Sequence, residues 1–218
     1  MSDTRERLME AAVAALRRHG ISGVSARSIA AETSANQALV FYHFKTVEGL
    51  LAAAALRETG LRLDRYRPRL AQAESLRDLL RVGRELHEEE RGLGNVALLG
   101  QFLAGASSYP ALGAATADAL RLWSAEIERV LDRIFAGHPL ADLLDVPGLA
   151  RAVSASFVGL ELYEGVDPDG ASAAFDALDR MGALVEVVDG LGPVAAKALR
   201  VKLRRSTRST GTAKDLND

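Results

Sequence analysis

Three candidate helix caps divide the N-terminal part of the chain into short segments. Ser25, Asn36 and Thr46 lie eleven and ten residues apart, and each precedes apolar residues at helical spacing. Their side-chain oxygens can accept a hydrogen bond from the first turn of a helix. We therefore predict a helix from Ala26 to about Thr33, a short helix from Gln37 to about Phe44, and a longer helix after Thr46. This pattern restricts the segment to packed helices joined by tight turns.

An amphipathic helix precedes this segment. Leu8, Ala12 and Leu16 recur on one face, and Gly20 ends the pattern at a position that tolerates a left-handed conformation. The two short helices carry inward-facing residues that can pack on this face, namely Ile29, Ala30, Val40 and Phe44. We expect residues 1–47 to form one helical unit.

The rest of the chain also has the periodicity of helices. The predicted helices cover residue 47 to about Tyr66, where Pro68 marks a break, and then 75–90, 93–107, 111–136, 148–164 and 170–190. A short helix over 191–203 and a disordered polar tail over 204–218 follow. The predicted fold class is all-α, with a helix-turn-helix head over 1–47, a larger helical domain over 48–203, and the tail.

Charge is distributed unevenly along the chain. Residues 1–45 carry a net charge of +2, residues 46–196 carry −9, and residues 197–218 carry +5. An acidic body repels phosphate, so contact with a nucleic acid is expected at the N-terminal part. The basic residues of the tail are interpreted either as a source of non-specific DNA affinity or as a solubilising end.

Composition narrows the function classes further. The chain has no cysteine, which excludes disulfides and thiolate metal ligands. Its start lacks the apolar stretch of a signal peptide, and no apolar run approaches the roughly 20 residues of a membrane span. We therefore expect a cytoplasmic protein that has no cofactor, no metal site and no contact with a membrane.

The second short helix carries side chains suited to a nucleic acid on its outward face. Gln37 can pair with the edge of adenine, and Arg27 on the preceding helix can pair with guanine. Tyr42, His43 and Lys45 suit phosphate contacts, which position a protein without reading sequence. A helix of this size fits the major groove of DNA, which is about 12 Å wide.

This segment resembles the DNA-binding head of the TetR/AcrR family of transcriptional regulators. The resemblance covers about 45 residues and depends on Ile29-Ala30, the run from Val40 to Lys45, and Thr46 followed by Glu48 and Leu50-Leu51. It implies that the head binds operator DNA. The DNA-binding residues expected from the resemblance and from the outward face are Ser25, Arg27, Asn36, Gln37, Ala38, Leu39, Tyr42, His43 and Lys45.

Four positions depart from the family pattern. Ser34 replaces the usual turn glycine, so the turn either avoids a left-handed residue or tolerates a cost of about 1 kcal/mol. Phe41 replaces the usual tyrosine and loses a hydroxyl that would reach phosphate. Leu39 stands where a small or hydroxylated residue is common, and Val47 replaces a frequent lysine.

The resemblance also implies a helical domain that dimerises and binds a small molecule. We expect the dimer to form through helices 148–164 and 170–190, where Gly159, Ala177 and Gly182 allow close approach. The expected ligand is small and apolar or amphipathic. The residues expected to line its chamber are Phe102, Ser107, Tyr109, Trp123, Phe157, Glu161 and Tyr163. The implied function is that of a repressor which the ligand releases from a palindromic operator.

Two other classes remain open at this stage. A helical adaptor that binds another protein could retain a head of this shape without a ligand switch. An enzyme is disfavoured because none of the four histidines has a metal-ligand spacing such as H-E-x-x-H, and no G-x-S-x-G motif is present. The run His87-Glu88-Glu89-Glu90 is interpreted as a charged helix end.

Overall fold

The computed structural model describes residues 2–138, 141 and 144–189. The described part of the chain contains nine α-helices and no strand. They are α1 Ser2–Gly23, α2 Ala26–Thr33, α3 Ala38–Phe44, α4 Val47–Ala71, α5 Leu76–Gly92, α6 Asn95–Ala106, α7 Pro110–Ile134, α8 Val146–Glu164 and α9 Pro168–Asp189. The all-α prediction is confirmed. The predicted short helix over 191–203 and the basic tail over 204–218 lie outside the described residues.

Helices α1 to α3 form a head that packs on the first half of α4. Its core joins Leu8 and Leu16 of α1 to Ile29 of α2 and Val40 of α3, all of which are fully buried. The same core continues into the body through Leu98 and Phe102 of α6 and Leu112 of α7. Apolar contact therefore joins the head to the body, and only Lys45 and Thr46 separate α3 from α4.

Helices α4 to α9 form the body around a second core. In this core Tyr66 of α4 packs with Leu79 of α5, Leu131 of α7 and Ala150 of α8. Helix α4 runs along α7, and α9 packs on α5 and α8. Because α4 contributes to both cores, a shift of α4 must change the packing of the head and of the body together.

A tertiary contact moves the end of α4 away from its predicted position. Helix α4 continues past Tyr66 and through Pro68 to Ala71, so the predicted break is wrong. Burial of Tyr66 and Leu70 holds this last turn, and Arg133 donates hydrogen bonds to the carbonyl oxygens of Leu70 (3.0 Å) and Ala73 (3.3 Å). A tertiary contact thus supplies partners that the sequence around Pro68 does not reveal.

Gly20 lies at the predicted end of the first helix and has a φ of 66°. The chain kinks there and resumes helical geometry to Gly23. The kink is fixed by a hydrogen bond from the Ile21 N–H to Gln101 Oε1 of α6 at 2.8 Å. A glycine is suited to this position because other residues are strained at a positive φ.

Taken singly, none of the described helices has the length and apolar character needed to cross a membrane. Only α3 and α4 taken together reach the required length and composition, and that pair is bent by 66° at the break between them.

Candidate nucleic-acid interface and ligand cavities

The short helix α3 is anchored by one face and leaves the other face open. Val40 and Phe44 are buried against the head core, whereas Gln37, Phe41 and Tyr42 are exposed. Tyr42 retains 65% of its accessible surface, which is unusual for a large aromatic side chain. The open face is therefore available to a partner and combines an amide, a phenol and an apolar ring.

Two of the residues expected to bind DNA, Ser25 and Asn36, also make hydrogen bonds at the starts of α2 and α3. Ser25 caps α2 through a 3.1 Å hydrogen bond from the Ser28 N–H. The predicted Asn36 cap of α3 is wrong: α3 begins at Ala38, its N-cap residue is Gln37, and the Gln37 side chain makes no capping hydrogen bond. Asn36 Oδ1 instead accepts from the Ala38 N–H at 2.9 Å within the turn that precedes the helix. The side-chain oxygens of Ser25 and Asn36 therefore accept hydrogen bonds from the backbone of the head. Both residues nevertheless remain exposed.

The turn between α2 and α3 tolerates a left-handed serine. Ser34 has φ 54° and ψ 27°, and its N–H donates to the Ala30 carbonyl. Of the two possibilities left open by the sequence, the structure has the strained one, at about 1 kcal/mol.

A tight γ-turn joins α3 to α4 at Lys45. Lys45 has φ 68° and ψ −42°, and the Thr46 N–H donates to the Phe44 carbonyl at 2.8 Å. This hand of γ-turn is rare and strained for a residue with a side chain. Thr46 then caps α4 through the Gly49 N–H at 2.9 Å. The strained turn places the Lys45 ammonium at the exposed end of α3.

The other residues expected at the interface lie around the same open face. Arg27, Ala38 and Lys45 are exposed, whereas Leu39 and His43 are half-buried. The His43 ring packs edge-on against Tyr42, with 4.9 Å between the ring centroids. Arg5 adds a further cation to this end, with its guanidinium 4.9 Å from the centre of the Phe44 ring.

The body contains two neighbouring cavities. The first, the polar cavity, has a volume of about 90 Å³ and lies among α4, α5, α6, α7 and α8. The second, the apolar cavity, has a volume of about 300 Å³ and lies among α4, α5, α7, α8 and α9. Four residues line both cavities, namely Leu86, Trp123, Ile127 and Phe157.

The structure brings together only part of the expected ligand chamber. Phe102, Trp123, Phe157 and Glu161 line the polar cavity. Ser107, Tyr109 and Tyr163 are exposed and line neither cavity. Tyr109 precedes α7 as its N-cap residue, although its side chain makes no capping hydrogen bond. The Tyr163 hydroxyl donates to Asp167 Oδ2 at 3.1 Å, just beyond the end of α8.

The run His87-Glu88-Glu89-Glu90 contains two buried polar residues and is not simply a charged helix end. His87 retains 2% of its accessible surface, with Nε2 2.7 Å from Glu164 Oε2 and Nδ1 3.7 Å from Glu161 Oε1. The carboxylates of Glu161 and Glu164 raise the pKa of His87, while burial opposes this effect. Glu90 accepts from the Tyr66 hydroxyl at 2.6 Å.

Sequence periodicity could have identified more of the polar cavity. Ala55, Thr59 and Arg62 recur at helical spacing on α4, and all three line the cavity. A polar residue on the face of a helix that points inward indicates a polar interior. The same reasoning applies to Thr116 of α7 and Ser154 of α8, which are buried.

A comparison with protein families identifies the head. Residues 8–54 match the family model described as bacterial regulatory proteins, tetR family. The head of this chain matches the tetR family. The matched residues include all of α2 and α3, the γ-turn at Lys45 and the start of α4.

Solved structures of tetR-like regulators extend the likeness to most of the body. A structure described as a TetR-family transcriptional regulator from Rhodococcus sp. is 25% identical, covers 86% of this chain and 98% of its own, and has a TM-score of 0.69. A transcriptional regulator from Streptomyces coelicolor A3(2) is 25% identical, with coverages of 82% and 97% and a TM-score of 0.63.

A further tetR-like structure is described as the multidrug binding protein EbrR complexed with imidazole. It is 28% identical, covers 83% of this chain and 90% of its own, and has a TM-score of 0.61. No curated protein matches the sequence. The likeness to these structures covers head and body together, and the family is one of DNA-binding transcriptional regulators.

Proposed function

We propose that this tetR-like protein is a homodimeric repressor that a small apolar or amphipathic effector releases from a palindromic operator. The observation that supports DNA binding is the open face of α3, where Gln37 and Tyr42 are exposed. On the opposite face, Val40 and Phe44 are buried and anchor the helix to the head. Two such helices in a dimer would contact half-sites about 34 Å apart.

Substitutions on the open face test the proposed interface. Because Tyr42 is 65% exposed and Gln37 is also exposed, Tyr42→Ala and Gln37→Ala should leave the unfolding free energy within about 0.5 kcal/mol. Each should weaken binding to a duplex selected from a random pool by about 1–3 kcal/mol, measured by fluorescence anisotropy. Leu122→Ala, at an exposed residue of α7, is the matched control.

Salt dependence separates this proposal from a protein-binding adaptor. Binding through Lys45 and the arginines near α3 should fall steeply as salt rises, because each phosphate contact releases a counterion. An affinity for DNA that does not respond to salt, or no affinity at all at low salt, would favour the adaptor.

Polar contacts provide a route from the cavities to the head. Arg17 of α1 donates to Asn95 Oδ1 of α6 at 2.5 Å and to the Leu93 carbonyl at 3.2 Å. Asn95 itself lines the polar cavity. Near the other end of α6, Gln101 accepts from the Ile21 N–H. A ligand that displaces α6 would therefore act on α1 directly.

Helix α4 provides a second route. Ala55 and Thr59 of α4 line the polar cavity, and Glu48 at its start accepts a hydrogen bond from the Ala111 N–H of α7. A ligand can change DNA affinity only through unequal affinity for the two arrangements of the heads. The relative EbrR, a multidrug binding protein, supports a ligand-binding role for this body.

The surface of α8 and α9 supports the proposed dimer. Leu162, Tyr163, Val166 and Met181 on these helices and their link are exposed apolar residues, and Val166 retains 88% of its surface. Gly159 lies on the same exposed side of α8, where an added Cβ would meet no heavy atom within 4 Å. A second copy of the chain would cover this face.

Gly182 has a different role from the one expected. It is buried, and a Cβ there would lie 3.1 Å from Leu80 Cδ1 and 3.3 Å from Arg77 Cα. This glycine therefore allows α9 to approach α5 within one protomer. The side chains of residues 184–189, which were expected to add to the dimer face, lie outside the described part of the chain.

A further inference from the structure

The polar cavity is lined by a carboxylate that accepts no hydrogen bond from the described residues. The side chain of Glu161 retains 7% of its accessible surface and lines the cavity. Its Oε1 lies 3.7 Å from His87 Nδ1, which is too long for a hydrogen bond. A buried carboxylate without a donor is unfavourable, so this group requires a donor from elsewhere.

The hydroxyl groups that line the same cavity can only accept. Thr59, Thr116 and Ser154 each donate their proton to the carbonyl four residues earlier on their own helix, at 3.0, 2.8 and 2.9 Å. A hydroxyl has one proton and two lone pairs, so its remaining capacity is that of an acceptor. These three hydroxyls therefore favour a molecule that brings donors.

The cationic side chains near Glu161 are committed to other carboxylates. Among the described residues that line the cavity, Arg62 is the cation, and its Nε lies 3.1 Å from Glu90 Oε2. The Nε and Nη2 atoms of Arg62 make no well-aligned hydrogen bond, but they have almost no accessible surface, so a ligand in the cavity does not reach them without a shift of the side chain. His87 is held by Glu164 at 2.7 Å. In the part of the lining that the structure describes, two carboxylates, Glu90 and Glu161, are present with one guanidinium, that of Arg62.

Aromatic walls favour a cation over a neutral donor. Phe102, Trp123 and Phe157 line the polar cavity together with Glu161. The faces of aromatic rings attract cations, most strongly when water is excluded. At about 90 Å³ the polar cavity holds only a head group, but Trp123 and Phe157 also line the apolar cavity of about 300 Å³.

We propose that the effector is a protonated amine with an apolar body. Its ammonium group donates to Glu161 in the polar cavity, and its hydrocarbon part passes Trp123 and Phe157 into the apolar cavity. A cavity of about 150 Å³ binds benzene, so the larger one holds a body of about ten carbon atoms. This inference rests on the proposed function only where it says that the amine releases DNA. Binding of the amine itself is measured separately.

The test uses the full chain and three probes of equal length, decylamine, decanol and decanoate. Trp123 is the single tryptophan and lines both cavities, so its fluorescence reports occupancy directly. Decylamine should bind at least about tenfold more tightly than decanol, and decanoate most weakly. Glu161→Gln should remove that preference and leave decanol binding unchanged.

Glu126→Gln is the matched control. Glu126 is also a buried carboxylate but lines neither cavity, so this variant should keep the decylamine preference within about twofold. Tighter binding of decanoate than of decylamine overturns the inference. So does a decylamine affinity that Glu161→Gln leaves unchanged, or no decylamine binding at all.

The same titrations on protein bound to a selected DNA duplex distinguish the two proposals. If decylamine binds at Glu161 without releasing DNA, the amine site stands and the ligand switch is overturned. If decanol or decanoate releases DNA while decylamine does not bind, the switch stands and the amine inference is overturned.

Discussion

Placing an arginine at Gly159 should stabilise the protomer and break the dimer. Within the protomer an added side chain meets no heavy atom within 4 Å of its Cβ. Glycine is about 0.8–1.0 kcal/mol less favourable than alanine inside a helix, and arginine is close to alanine. Gly159→Arg should therefore raise the unfolding free energy of the isolated protomer by roughly 0.7 kcal/mol.

The same change should disfavour association of two α8–α9 faces. An arginine pressed against the partner surface loses water without gaining a carboxylate, which costs about 3–5 kcal/mol when a charge is left unpaired. The dimer should then weaken by more than about 100-fold. Sedimentation equilibrium over a range of concentrations measures this, and thermal unfolding at low concentration measures the gain in the protomer.

The control for this prediction is Gly60→Arg on α4. A Cβ at Gly60 also meets nothing within 4 Å, so it tests helix propensity and added charge away from the proposed face. The chain has no cysteine, so Ala155→Cys supplies one thiol on the exposed side of α8 for cross-linking between copies. If Gly159→Arg remains a dimer as stable as Gly60→Arg, the proposed α8–α9 interface is wrong.

Three further predictions concern the DNA-binding end and the buried histidine. Phe41→Tyr restores a hydroxyl on the exposed face and should tighten DNA binding by about 0.5–1.5 kcal/mol in anisotropy titrations; unchanged affinity would place Phe41 away from the phosphates. Lys45→Gly removes the strain of a residue with φ 68° and should raise the unfolding free energy by about 1 kcal/mol. The same change removes a cation, so the slope of log affinity for DNA against log salt concentration should become shallower by about 1. A lower unfolding free energy would contradict the strain at Lys45. The raised pKa of His87, caused mainly by Glu161 with Glu164, predicts a contribution that is complete below pH 6.5 and lost as pH rises through the folded-state value. His87→Gln should therefore lower the urea-unfolding free energy more at pH 6 than at pH 9, and an equal loss at both would refute the linkage.

The head could be predicted closely because its determinants are local. Ser25 and Thr46 cap α2 and α4 through groups three residues away, as their residue types predict. The inward phase of Ile29 and Val40 follows from helical periodicity alone, and both are fully buried. The partners in such interactions lie within one or two helical turns of each other, so a short stretch of sequence contains both.

The cavities could be predicted only in part because their walls come from distant segments. Trp123 and Phe157 were expected at the chamber and lie there, but Arg62 and Thr59 were not anticipated. Tyr163 was expected at the chamber and lies on the surface. Aromatic residues tend to be buried, but many are not. The rotation of a helix relative to its neighbours decides whether a given side chain faces a cavity or the surface.

What the sequence alone determined, within the described residues, is the order of the helices, the caps of α2 and α4 and the amphipathic short helix of the head, since hydrogen bonds within a few residues and a period of 3.6 specify them. Only the tertiary structure decided that α4 continues past Pro68, that Gly182 serves the protomer, and that His87 and Glu161 meet in the interior. These features depend on contacts between α4, α5, α7, α8 and α9. Packing of distant helices brings together partners that no local pattern records, and it fixes the charge and shape of the ligand cavities.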